Sequence, residues 1–380
     1  MKIERVLVNL IKQELIETQK IIIVFGARQT GKSTLLDDVL SGTKEKVLKI
    51  NADELQYIDI LSSRDFNKLQ LLTEGYDIIL IDEAQRIPEI GINLKILYDK
   101  IPKLKIIVTG SSSLDIASKT KESLTGRTST FSLYPVSLME LRRINNPIEL
   151  QNRLDEFLTY GMYPEVFHYN SRSRKEKYLR ELASSYLYKD IFDLAPIRNT
   201  QVIKKLLKLL AYQIGSEISI NELAQNLKIS QETVNSYISV LEDSFIIFRL
   251  SGYSKNLRKE ISKKDKIFFW DLGIRNTIIS RFNPFEDDMD KGAMWENFII
   301  AERLKYMNYT NQPSNAYFWR TYTGAELDYV EERDGELYAF EIKLSKPKYK
   351  APQTWVENYG NHFECITRDN FWEFVTNKPE

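Results

Sequence analysis

The chain has 380 residues, of which 43% are hydrophobic and 28% are charged, the balance of an ordinary globular protein with room for two or three domains. Basic and acidic residues both number 53, so any nucleic-acid contact must come from a local patch. One cysteine and two histidines exclude a disulfide within the chain and leave little material for a zinc site. Apolar runs are short and no signal-peptide pattern begins the chain, so no membrane contact is expected and a cytoplasmic protein is predicted.

The first part of the chain alternates between helical and strand patterns. Apolar residues at helical spacing cover positions 3–17, and a continuous run, IIIVF, predicts a buried strand at 21–25. A helix is predicted at 33–40. Further strands are predicted at 46–50, 77–81, 105–108 and 129–133. The alternation indicates an α/β fold with a parallel sheet.

The segment after the first strand, GARQTGKS at 26–33, matches G-x-x-x-x-G-K-[ST] at every fixed position. In such a loop, backbone N–H groups point inward at phosphates, and the glycines allow close approach and unusual dihedral angles. Lys32 is expected to reach the β- and γ-phosphates, and the Ser33 hydroxyl to hold Mg²⁺. The predicted nucleotide-binding residues are Gly26, Ala27, Arg28, Gln29, Thr30, Gly31, Lys32, Ser33, Thr34, Thr109 and Ser111.

A second element, IILIDE at 78–83, has four apolar residues followed by two carboxylates, which is a Walker B strand. Asp82 is expected to support Mg²⁺ at the carboxyl end of the strand. Glu83 is expected to orient and polarise the attacking water, so hydrolysis of ATP is predicted in addition to binding.

Two further features have alternative interpretations. Polar residues at 109–113 follow another strand, where they contact the γ-phosphate or the attacking water, or else cap a helix that starts at Leu114. Arg127 reaches the transferred phosphate within its own chain or from a neighbouring subunit of a homo-oligomer, or else is an ordinary surface arginine.

Helical patterns dominate from about residue 135 to 243, with amphipathic stretches at 178–192 and 202–212. Ser219 and Ser230 are predicted to cap two consecutive helices, and a strand pattern follows at 245–250. Helix, short turn, helix and strand is the winged helix-turn-helix pattern. The outer face of its second helix has no arginine or lysine, so DNA contact would fall to Lys228, Arg249 and the basic stretch up to residue 266. The alternative is a packing module or hinge.

The last part of the chain predicts a helix at 292–306 and strands at 316–322, 326–331 and 336–342. Asp328 on one strand, followed by Glu341 and Lys343 on one face of the next, is the arrangement of PD-(D/E)XK nucleases. There the carboxylates hold Mg²⁺, and the lysine stabilises hydroxide and developing phosphate charge. Glu296 on the preceding helix adds an acidic group. A salt-bridged pair of strands gives the same pattern and is the alternative.

Taken together, the sequence resembles a widespread prokaryotic family of AAA-type P-loop ATPases whose carboxy-terminal half is a domain of unknown function. Its usual order is ATPase, winged helix and restriction-endonuclease-like domain. The matching segments are 26–33, 80–83, 109–113, 124–127, 134–137, 190–191, 269–273, 326–329 and 340–343.

The resemblance implies ATP at Gly31, Lys32 and Ser33, with Mg²⁺ and hydrolysis at Asp82 and Glu83. It also implies nuclease-like positions at Glu296, Asp328, Glu341 and Lys343. No proline precedes Asp328, which departs from the nuclease pattern.

The sequence therefore predicts an AAA-type P-loop parallel sheet, a helical and winged-helix middle region, and a smaller restriction-endonuclease-like α/β domain. The predicted boundaries are 1–140, 141–200, 201–253 and 254–380. The predicted function is ATP hydrolysis coupled to action on nucleic acid, with Mg²⁺-dependent DNA cleavage by the last domain. One alternative is an ATP-driven regulatory or defence switch whose last domain only binds DNA or a protein partner. Another is a protein-remodelling ATPase. The predicted catalytic residues are Lys32, Glu83, Arg127, Asp328, Glu341 and Lys343, and the predicted metal ligands are Ser33, Asp82, Glu296, Asp328 and Glu341.

Overall fold

The computed structural model describes residues 3–110, 124–184, 200–254, 264–312, 314–345 and 349–376. These residues form a five-stranded sheet and a six-stranded sheet, with helices around and between them. Within these ranges, no helix combines the length and the apolar character that crossing a membrane requires.

The first sheet is entirely parallel, with strand order β2-β3-β4-β1-β5. The strand that precedes the P-loop, β1, and the strand that ends in the Walker B carboxylates, β3, are separated by β4. Because all five strands run in one direction, their carboxyl ends meet at one edge of the sheet. The strands are β1 (Ile21–Phe25), β2 (Val47–Asn51), β3 (Ile78–Asp82), β4 (Lys105–Gly110) and β5 (Thr128–Ser132).

Helices cover both faces of this sheet, which explains the continuous apolar run in β1. Ile22 and Val24 pack with Leu35 on one face, whereas Ile21 and Ile23 belong to the core on the other face. Both sides of a strand are apolar when both faces of its sheet are covered. The helices of this region are α1 (Leu7–Glu17), α2 (Lys32–Leu40), α3 (Leu55–Leu61), α4 (Phe66–Thr73) and α5 (Ile90–Lys100).

The middle of the chain is helical, as its sequence predicts. Ser219 accepts a hydrogen bond from the Glu222 N–H, and Ser230 accepts one from the Thr233 N–H, so both predicted caps are confirmed. The predicted helix at 178–192 overlaps α9, and residues 185–199 lie outside the described residues. The helices are α6 (Leu138–Leu141), α7 (Pro147–Asn152), α8 (Leu154–Tyr160), α9 (Arg172–Leu182), α10 (Thr200–Tyr212), α11 (Ile220–Leu227) and α12 (Gln231–Asp243).

The second sheet has strand order β11-β10-β9-β8-β6-β7. Its strands β8, β9 and β10 form an antiparallel meander, whereas β11 runs parallel to β10. Asp334 and Gly335 both have positive φ angles, 50° and 83°, as a tight hairpin turn requires. The strands are β6 (Ile247–Gly252), β7 (Lys266–Phe269), β8 (Asn315–Arg320), β9 (Glu326–Arg333), β10 (Glu336–Ile342) and β11 (Phe363–Ile366).

Four helices accompany this sheet, and they share a core with the middle of the chain. One apolar cluster includes Phe157 and Leu210 from the middle helices together with Trp295 and Phe340 from the last part. Since β6 also joins this sheet, the sheet contains strands from both sides of the predicted boundary at residue 254. The helices are α13 (Leu272–Ile278), α14 (Lys291–Tyr309), α15 (Gln353–Tyr359) and α16 (Phe371–Thr376).

The segment 269–273, one of the segments shared with the resembling family, forms a tight joint between α8 and α13. Asp271 accepts hydrogen bonds from the N–H groups of Met162 (2.6 Å) and Ile274 (3.1 Å). A Cβ atom on Gly273 would lie 2.1 Å from the Tyr160 carbonyl oxygen, so only glycine fits there. Asp271 and Gly273 therefore have a structural role at this joint between the two helices.

Candidate functional sites: a P-loop and a cavity of paired charges

The loop between β1 and α2 has the backbone geometry that its glycines predict. A Cβ atom on Gly26 would lie 2.2 Å from the carbonyl oxygen of Leu133, the residue that follows β5. Gly31 has a φ angle of 94° and stands directly before α2, and Gln29 is left-handed at 59°. Glycine therefore serves two needs here, close approach at Gly26 and positive φ at Gly31.

Lys32, the first residue of α2, is buried inside this loop. Its ammonium donates hydrogen bonds to the carbonyl oxygens of Gly26 (2.8 Å) and Ala27 (3.1 Å). The Thr30 hydroxyl also donates to the Ala27 carbonyl, at 2.8 Å. The ammonium therefore lies at the centre of the loop, where the sequence predicts that it meets phosphate.

An arginine outside the sequence motif fixes the loop from its outer side. Arg5, which is buried, donates from Nη1 to the Thr30 carbonyl (2.7 Å), from Nη2 to the Tyr134 carbonyl (2.6 Å) and from Nε to Glu140 Oε1 (2.8 Å). Burial acts to lower the pKa of Arg5, and the nearby Glu140 carboxylate outweighs it, so the guanidinium stays charged. Arg5 precedes α1, far from the motif in sequence, and no local pattern marks it.

The predicted Mg²⁺ ligands are adjacent at the carboxyl edge of the sheet. Ser33 Oγ donates a hydrogen bond to Asp82 Oδ2 at 2.9 Å. The Thr109 hydroxyl at the end of β4 donates to the other oxygen of Asp82 and accepts from the Glu83 N–H at 3.0 Å. Glu83 itself has a left-handed backbone, with φ at 56°. Thr109 therefore orients both carboxylate residues, and Ser111 lies outside the described residues.

Arg127 lies at the opposite edge of the sheet, which corrects its predicted role within the chain. It directly precedes β5, and its carbonyl accepts a hydrogen bond from the N–H of Ile21, the first residue of β1. The P-loop begins after the other end of β1, and five strand residues at ~3.3 Å each separate the two ends of that strand by about 17 Å. The Arg127 side chain pairs with Asp99 instead, with Nε 3.0 Å from Oδ1. A role towards a neighbouring subunit, and the homo-oligomer that it needs, stay predictions.

A cavity of about 730 Å³ opens beside the P-loop. The Tyr178 hydroxyl of α9 donates a hydrogen bond to Gln29 Oε1 at 2.8 Å, so a middle helix contacts the loop directly at this cavity. The wall combines apolar, aromatic and polar side chains. It is lined by Ile3, Arg5, Gln29, Thr30, Gly31, Thr34, Asp38, Val136, Pro164, Glu165, His168, Tyr169 and Tyr178.

The predicted nuclease-like residues line one cavity of about 690 Å³ at the second sheet. Asp328 on β9, Glu341 on β10 and Lys343 just beyond β10 are neighbours, and Glu296 reaches the same cavity from α14. The hairpin between β9 and β10 brings the two strands together, whereas the placement of α14 depends on the whole fold. Other charged residues in the lining are Glu217, Lys266, Arg320, Glu326 and Lys350.

The Lys343 ammonium bridges the two strand carboxylates. Its Nζ lies 2.6 Å from Glu341 Oε1 and 3.3 Å from Asp328 Oδ2, and the Ile342 N–H also donates to Asp328 Oδ2 at 2.8 Å. Glu341 Oε2 is buried and has no hydrogen-bond partner among the described residues. Burial, and then the charge of Asp328, raise the pKa of Glu341, against the opposing effects of the Lys343 ammonium and the Tyr349 hydroxyl.

Lys266, which the sequence placed in a basic stretch available to phosphate, points into this cavity instead. Its Nζ lies 2.7 Å from Glu326 Oε1 and 3.3 Å from Glu296 Oε1, and only 4% of its side chain is exposed. Burial raises the pKa of Glu296 to about 8, with Lys266 opposing the rise and Asp328 adding to it. The predicted phosphate contact of the basic stretch 255–266 stays a prediction, since residues 255–263 lie outside the described residues. Arg249 is likewise paired, with Glu242 at 2.6 Å.

Helix α14 connects the two candidate sites. Glu296 near its start reaches the second cavity, whereas Glu302 further along accepts a hydrogen bond from the N–H of Leu138. Tyr309 at its end accepts one from the N–H of Tyr134 at 3.2 Å. Arg5 donates hydrogen bonds to the carbonyls of both Tyr134 and Thr30, and Thr30 belongs to the P-loop. One helix, α14, therefore contacts the segment that holds the P-loop at one end and lines the second cavity near the other.

Metal-binding geometry is limited in the described part of the chain. There, no three histidine, cysteine, aspartate or glutamate side chains converge as a metal site of that size requires. Two carboxylates completed by water or phosphate oxygens are a common arrangement for Mg²⁺. The predicted metal ligands at both sites stay predictions.

Comparison with family models divides the chain into three segments. Residues 18–142 match an AAA domain. Residues 151–284 match a domain of unknown function (DUF8612), and residues 291–364 match another (DUF4143).

Curated relatives are similar along most of the chain. An uncharacterized protein of Mycobacterium tuberculosis is 27% identical over 85% of this chain and 70% of its own length. An uncharacterized protein of Haemophilus influenzae is 26% identical over 87% of this chain and 84% of its own. An uncharacterized protein of Methanocaldococcus jannaschii is 27% identical over 74% of this chain and 66% of its own length.

Solved structures also align with the chain. A Walker-type ATPase of Pyrococcus abyssi has a TM-score of 0.49 and 17% identity, over 72% of this chain and 94% of that one. The Holliday junction branch migration motor RuvB of Thermotoga maritima has a TM-score of 0.32 and 16% identity, over 65% and 90%. The strand order, the P-loop geometry and the family match together show that residues 18–142 form an AAA-type P-loop domain.

Proposed function

We propose that the P-loop site binds ATP with Mg²⁺ and hydrolyses it. The observation that carries this proposal is the network of Ser33, Asp82, Thr109 and Glu83 at the edge of the sheet that also carries the P-loop. Ser33 and Asp82 present the oxygen atoms that Mg²⁺ prefers, and bound Mg²⁺ would neutralise phosphate charge.

The chain's own residues divide the work. Lys32 exchanges its two carbonyl partners for phosphate oxygens, and the backbone of the loop and the first turn of α2 direct N–H groups at the same anion. Glu83 accepts a proton from the attacking water and orients it. Thr109 is a positioning residue, because it binds Asp82 and the backbone of Glu83 at once.

The cavity of about 730 Å³ beside the P-loop is proposed to receive the nucleoside part of ATP. Its volume lies within the range of small-molecule sites, roughly 300–1,000 Å³. Apolar and aromatic walls from Val136, Tyr169 and Tyr178 suit a flat base, and the cavity is continuous with Gly31 and Thr34 of the loop.

Phosphate release from ATP tests this function in wild type, Lys32→Ala and Glu83→Gln. Wild type is expected to hydrolyse ATP, Lys32→Ala to lose binding and turnover, and Glu83→Gln to bind ATP while turnover falls roughly 100-fold or more. The control is Lys49→Ala, because Lys49 is exposed and pairs with Asp37 on the surface. Equal turnover in wild type and Glu83→Gln would contradict the assignment of Glu83.

A second candidate function is Mg²⁺-dependent DNA cleavage in the carboxy-terminal cavity. The supporting observation is that Lys343 contacts both Asp328 and Glu341, while Glu341 Oε2 is buried without a close hydrogen-bond partner in the part of the chain that the structure describes. A buried carboxylate oxygen without a partner is costly unless a cation or donor joins it in the functional state. The order of α14 and the β8–β9–β10 meander also agrees with the helix and the three strands predicted from the sequence for this part of the chain.

Plasmid and single-stranded DNA, with Mg²⁺ or Mn²⁺ and with or without ATP, test this second function. Cleavage is expected in wild type and lost in Lys343→Ala, and the Lys32→Ala lane reports whether ATP controls it. Lys350→Ala is a matched control, because Lys350 lines the same cavity and is exposed. Cleavage that survives Lys343→Ala would contradict this assignment.

The alternative to cleavage is an ATP-driven switch in which the last domain only binds DNA or a protein partner. It is favoured by the pairing of Lys266 and Lys343 with carboxylates of the cavity. We propose α11, α12 and the β6–β7 pair as a winged-helix unit in either case. Binding of DNA without cleavage would support the switch, provided that the logarithm of the binding constant falls with the logarithm of salt concentration at a slope of about −0.9 per phosphate contact.

A further inference from the structure

Four of the five carboxylates that line the second cavity form two pairs, and each pair has its own lysine; the fifth, Glu217, pairs with Arg320. Lys343 lies between Asp328 and Glu341, at 3.3 and 2.6 Å, and Lys266 lies between Glu296 and Glu326, at 3.3 and 2.7 Å. Each ammonium therefore lies where a bound cation would satisfy the same oxygen atoms. Arg320 adds positive charge to the second pair, with Nε 3.9 Å from Glu326 Oε2.

The two lysines differ in their freedom to move. The Lys343 side chain is 37% exposed and follows the end of β10, so it can turn into solvent. The Lys266 side chain is 4% exposed, and its residue is paired with Leu250 of β6 and bridged to Glu217 on the other side. Its ammonium also lies 5.3 Å from the centre of the Phe318 ring. Its departure would remove the cation shared by Glu296 and Glu326, whose side chains are 15% and 32% exposed.

Among the described residues, a buried carboxylate oxygen without a close hydrogen-bond partner occurs at the pair whose lysine is more exposed. Glu341 Oε2 is buried without a close hydrogen-bond partner among the described residues, with the Tyr349 hydroxyl also acting on this carboxylate, and the Ile342 N–H fixes Asp328 Oδ2. A divalent cation at the other pair would lie against the fixed ammonium of Lys266, and that repulsion is weakly screened in a buried site.

We infer that the cavity binds one divalent cation, held by Asp328 and Glu341 after Lys343 turns aside, while Lys266 serves as a permanent internal cation for Glu296 and Glu326. The inference rests on the proposed metal-dependent function of this cavity and changes one assignment within it. Glu296, predicted from the sequence as a metal ligand, is then a positioning residue that orients Lys266.

Counting bound Mn²⁺ by electron paramagnetic resonance of the free ion tests the inference. The full chain is used without nucleotide and with Asp82→Asn, which removes the carboxylate ligand of the P-loop site. One bound ion is expected with Lys266 and Lys343 intact. Lys266→Met, which removes the charge and shortens the side chain by one atom, is expected to gain a second ion, whereas Lys343→Met is expected to keep one ion and bind it roughly tenfold more tightly. Two ions in the unmodified cavity, no ion at all, or one ion in a folded Lys266→Met would overturn the inference.

A second variant keeps the test decisive if Lys266→Met fails to fold. Glu296→Gln retains the shape of the side chain and leaves Lys266 paired with Glu326. The affinity for the single Mn²⁺ is expected to change less than about twofold, since Glu296 is not a ligand, whereas Glu341→Gln is expected to abolish binding. A loss of affinity of roughly tenfold or more in Glu296→Gln would overturn the inference.

DNA cleavage measured with the same preparations separates this inference from the proposed nuclease function. One bound ion without cleavage of any DNA supports the inference and contradicts the nuclease. Two bound ions overturn the inference whether or not DNA is cut.

Discussion

Lys32 and Lys343 are the central lysines of the two candidate sites, and they have different partners. Lys32 is buried and donates hydrogen bonds to the main-chain carbonyls of Gly26 and Ala27. Lys343 is more than a third exposed and contacts two carboxylates. A neutral carbonyl is a weak partner for an ammonium, whereas a carboxylate is a strong one. Lys32 therefore has main-chain carbonyl contacts that phosphate oxygens can replace, whereas Lys343 has ionic contacts with two carboxylates to break.

This difference extends to how each site is built. The P-loop site uses one continuous loop and the ends of three neighbouring parallel strands, so its geometry follows from local backbone conformation. The second cavity combines side chains from α14, β7, β9 and β10, and its charges largely neutralise each other. A site of the first kind depends on backbone fit, and a site of the second kind depends on charge balance. The following four variants test this contrast.

Replacing Arg5 with alanine is expected to have the largest effect. The change leaves the fully buried Glu140 without its charged partner and frees the carbonyls of Thr30 and Tyr134. Removal of one partner of a buried ion pair costs about 3–5 kcal/mol of unfolding free energy. Urea unfolding measures this loss. A double variant, Arg5→Met with Glu140→Leu, should recover part of the stability, and a loss of less than about 1 kcal/mol in Arg5→Ala would contradict the role of Arg5.

Gly26→Ala tests backbone fit at the P-loop itself. The added methyl group would lie 2.2 Å from the Leu133 carbonyl oxygen, so β1 and the segment after β5 have to move apart. Overpacking of this kind costs about 1–3 kcal/mol and should also weaken nucleotide binding, since the loop moves with it. Titration with a fluorescent ATP analogue measures the binding. Gly42→Ala is the matched control, because it has a positive φ but nothing within 4 Å of its added methyl group.

The sequence predicted the sites correctly where the residues involved lie in short contiguous segments. The parallel sheet, the P-loop, Asp82 and Glu83 follow from contiguous segments whose spacing has a physical reason. Asp328, Glu341 and Lys343 could also be placed together, because a tight hairpin at Asp334 and Gly335 sets the register of their strands.

Residues that act through distant contacts could not be found in this way. Arg5 meets Glu140 across 135 residues, and Lys266 meets Glu296 across 30 residues, with nothing in the local sequence to mark either pair. For Arg127, the residue type and its place before a strand suggested a catalytic role. The direction of β5 instead places Arg127 at the edge of the sheet opposite its own P-loop.

Tyr309→Phe tests whether the two regions are stabilised as one unit through α14. The change removes the hydroxyl that accepts a hydrogen bond from the Tyr134 N–H and leaves that buried N–H without this partner. The expected loss is about 1 kcal/mol of unfolding free energy, with the P-loop and second-cavity regions affected together. Hydrogen exchange followed by mass spectrometry locates the change. Increased exchange confined to the end of α14, with none around the P-loop, would contradict the connection.

The smallest expected effect is a pH dependence that belongs to the second cavity and comes from Glu296. Burial raises the pKa of Glu296 from an ordinary value of 4.5 to about 8, against the opposing charge of Lys266. Between these two values the folded protein retains a proton that the unfolded chain has lost, so the unfolding free energy contributed by this group falls as pH rises from about 5 to about 8. Asp328 and Glu326 also face the group and act in the same direction.

Glu296→Gln removes this titration, so chemical unfolding at a series of pH values should give a flatter dependence for the variant than for wild type across that range. The comparison matters because Asp271 and Glu302 are also buried carboxyls with raised pKa values, and they contribute the same sign of slope in both proteins. Only the difference between wild type and variant reports Glu296. Parallel profiles would mean that Lys266 keeps Glu296 ionised throughout, and that the second cavity is balanced by full ion pairs on both sides.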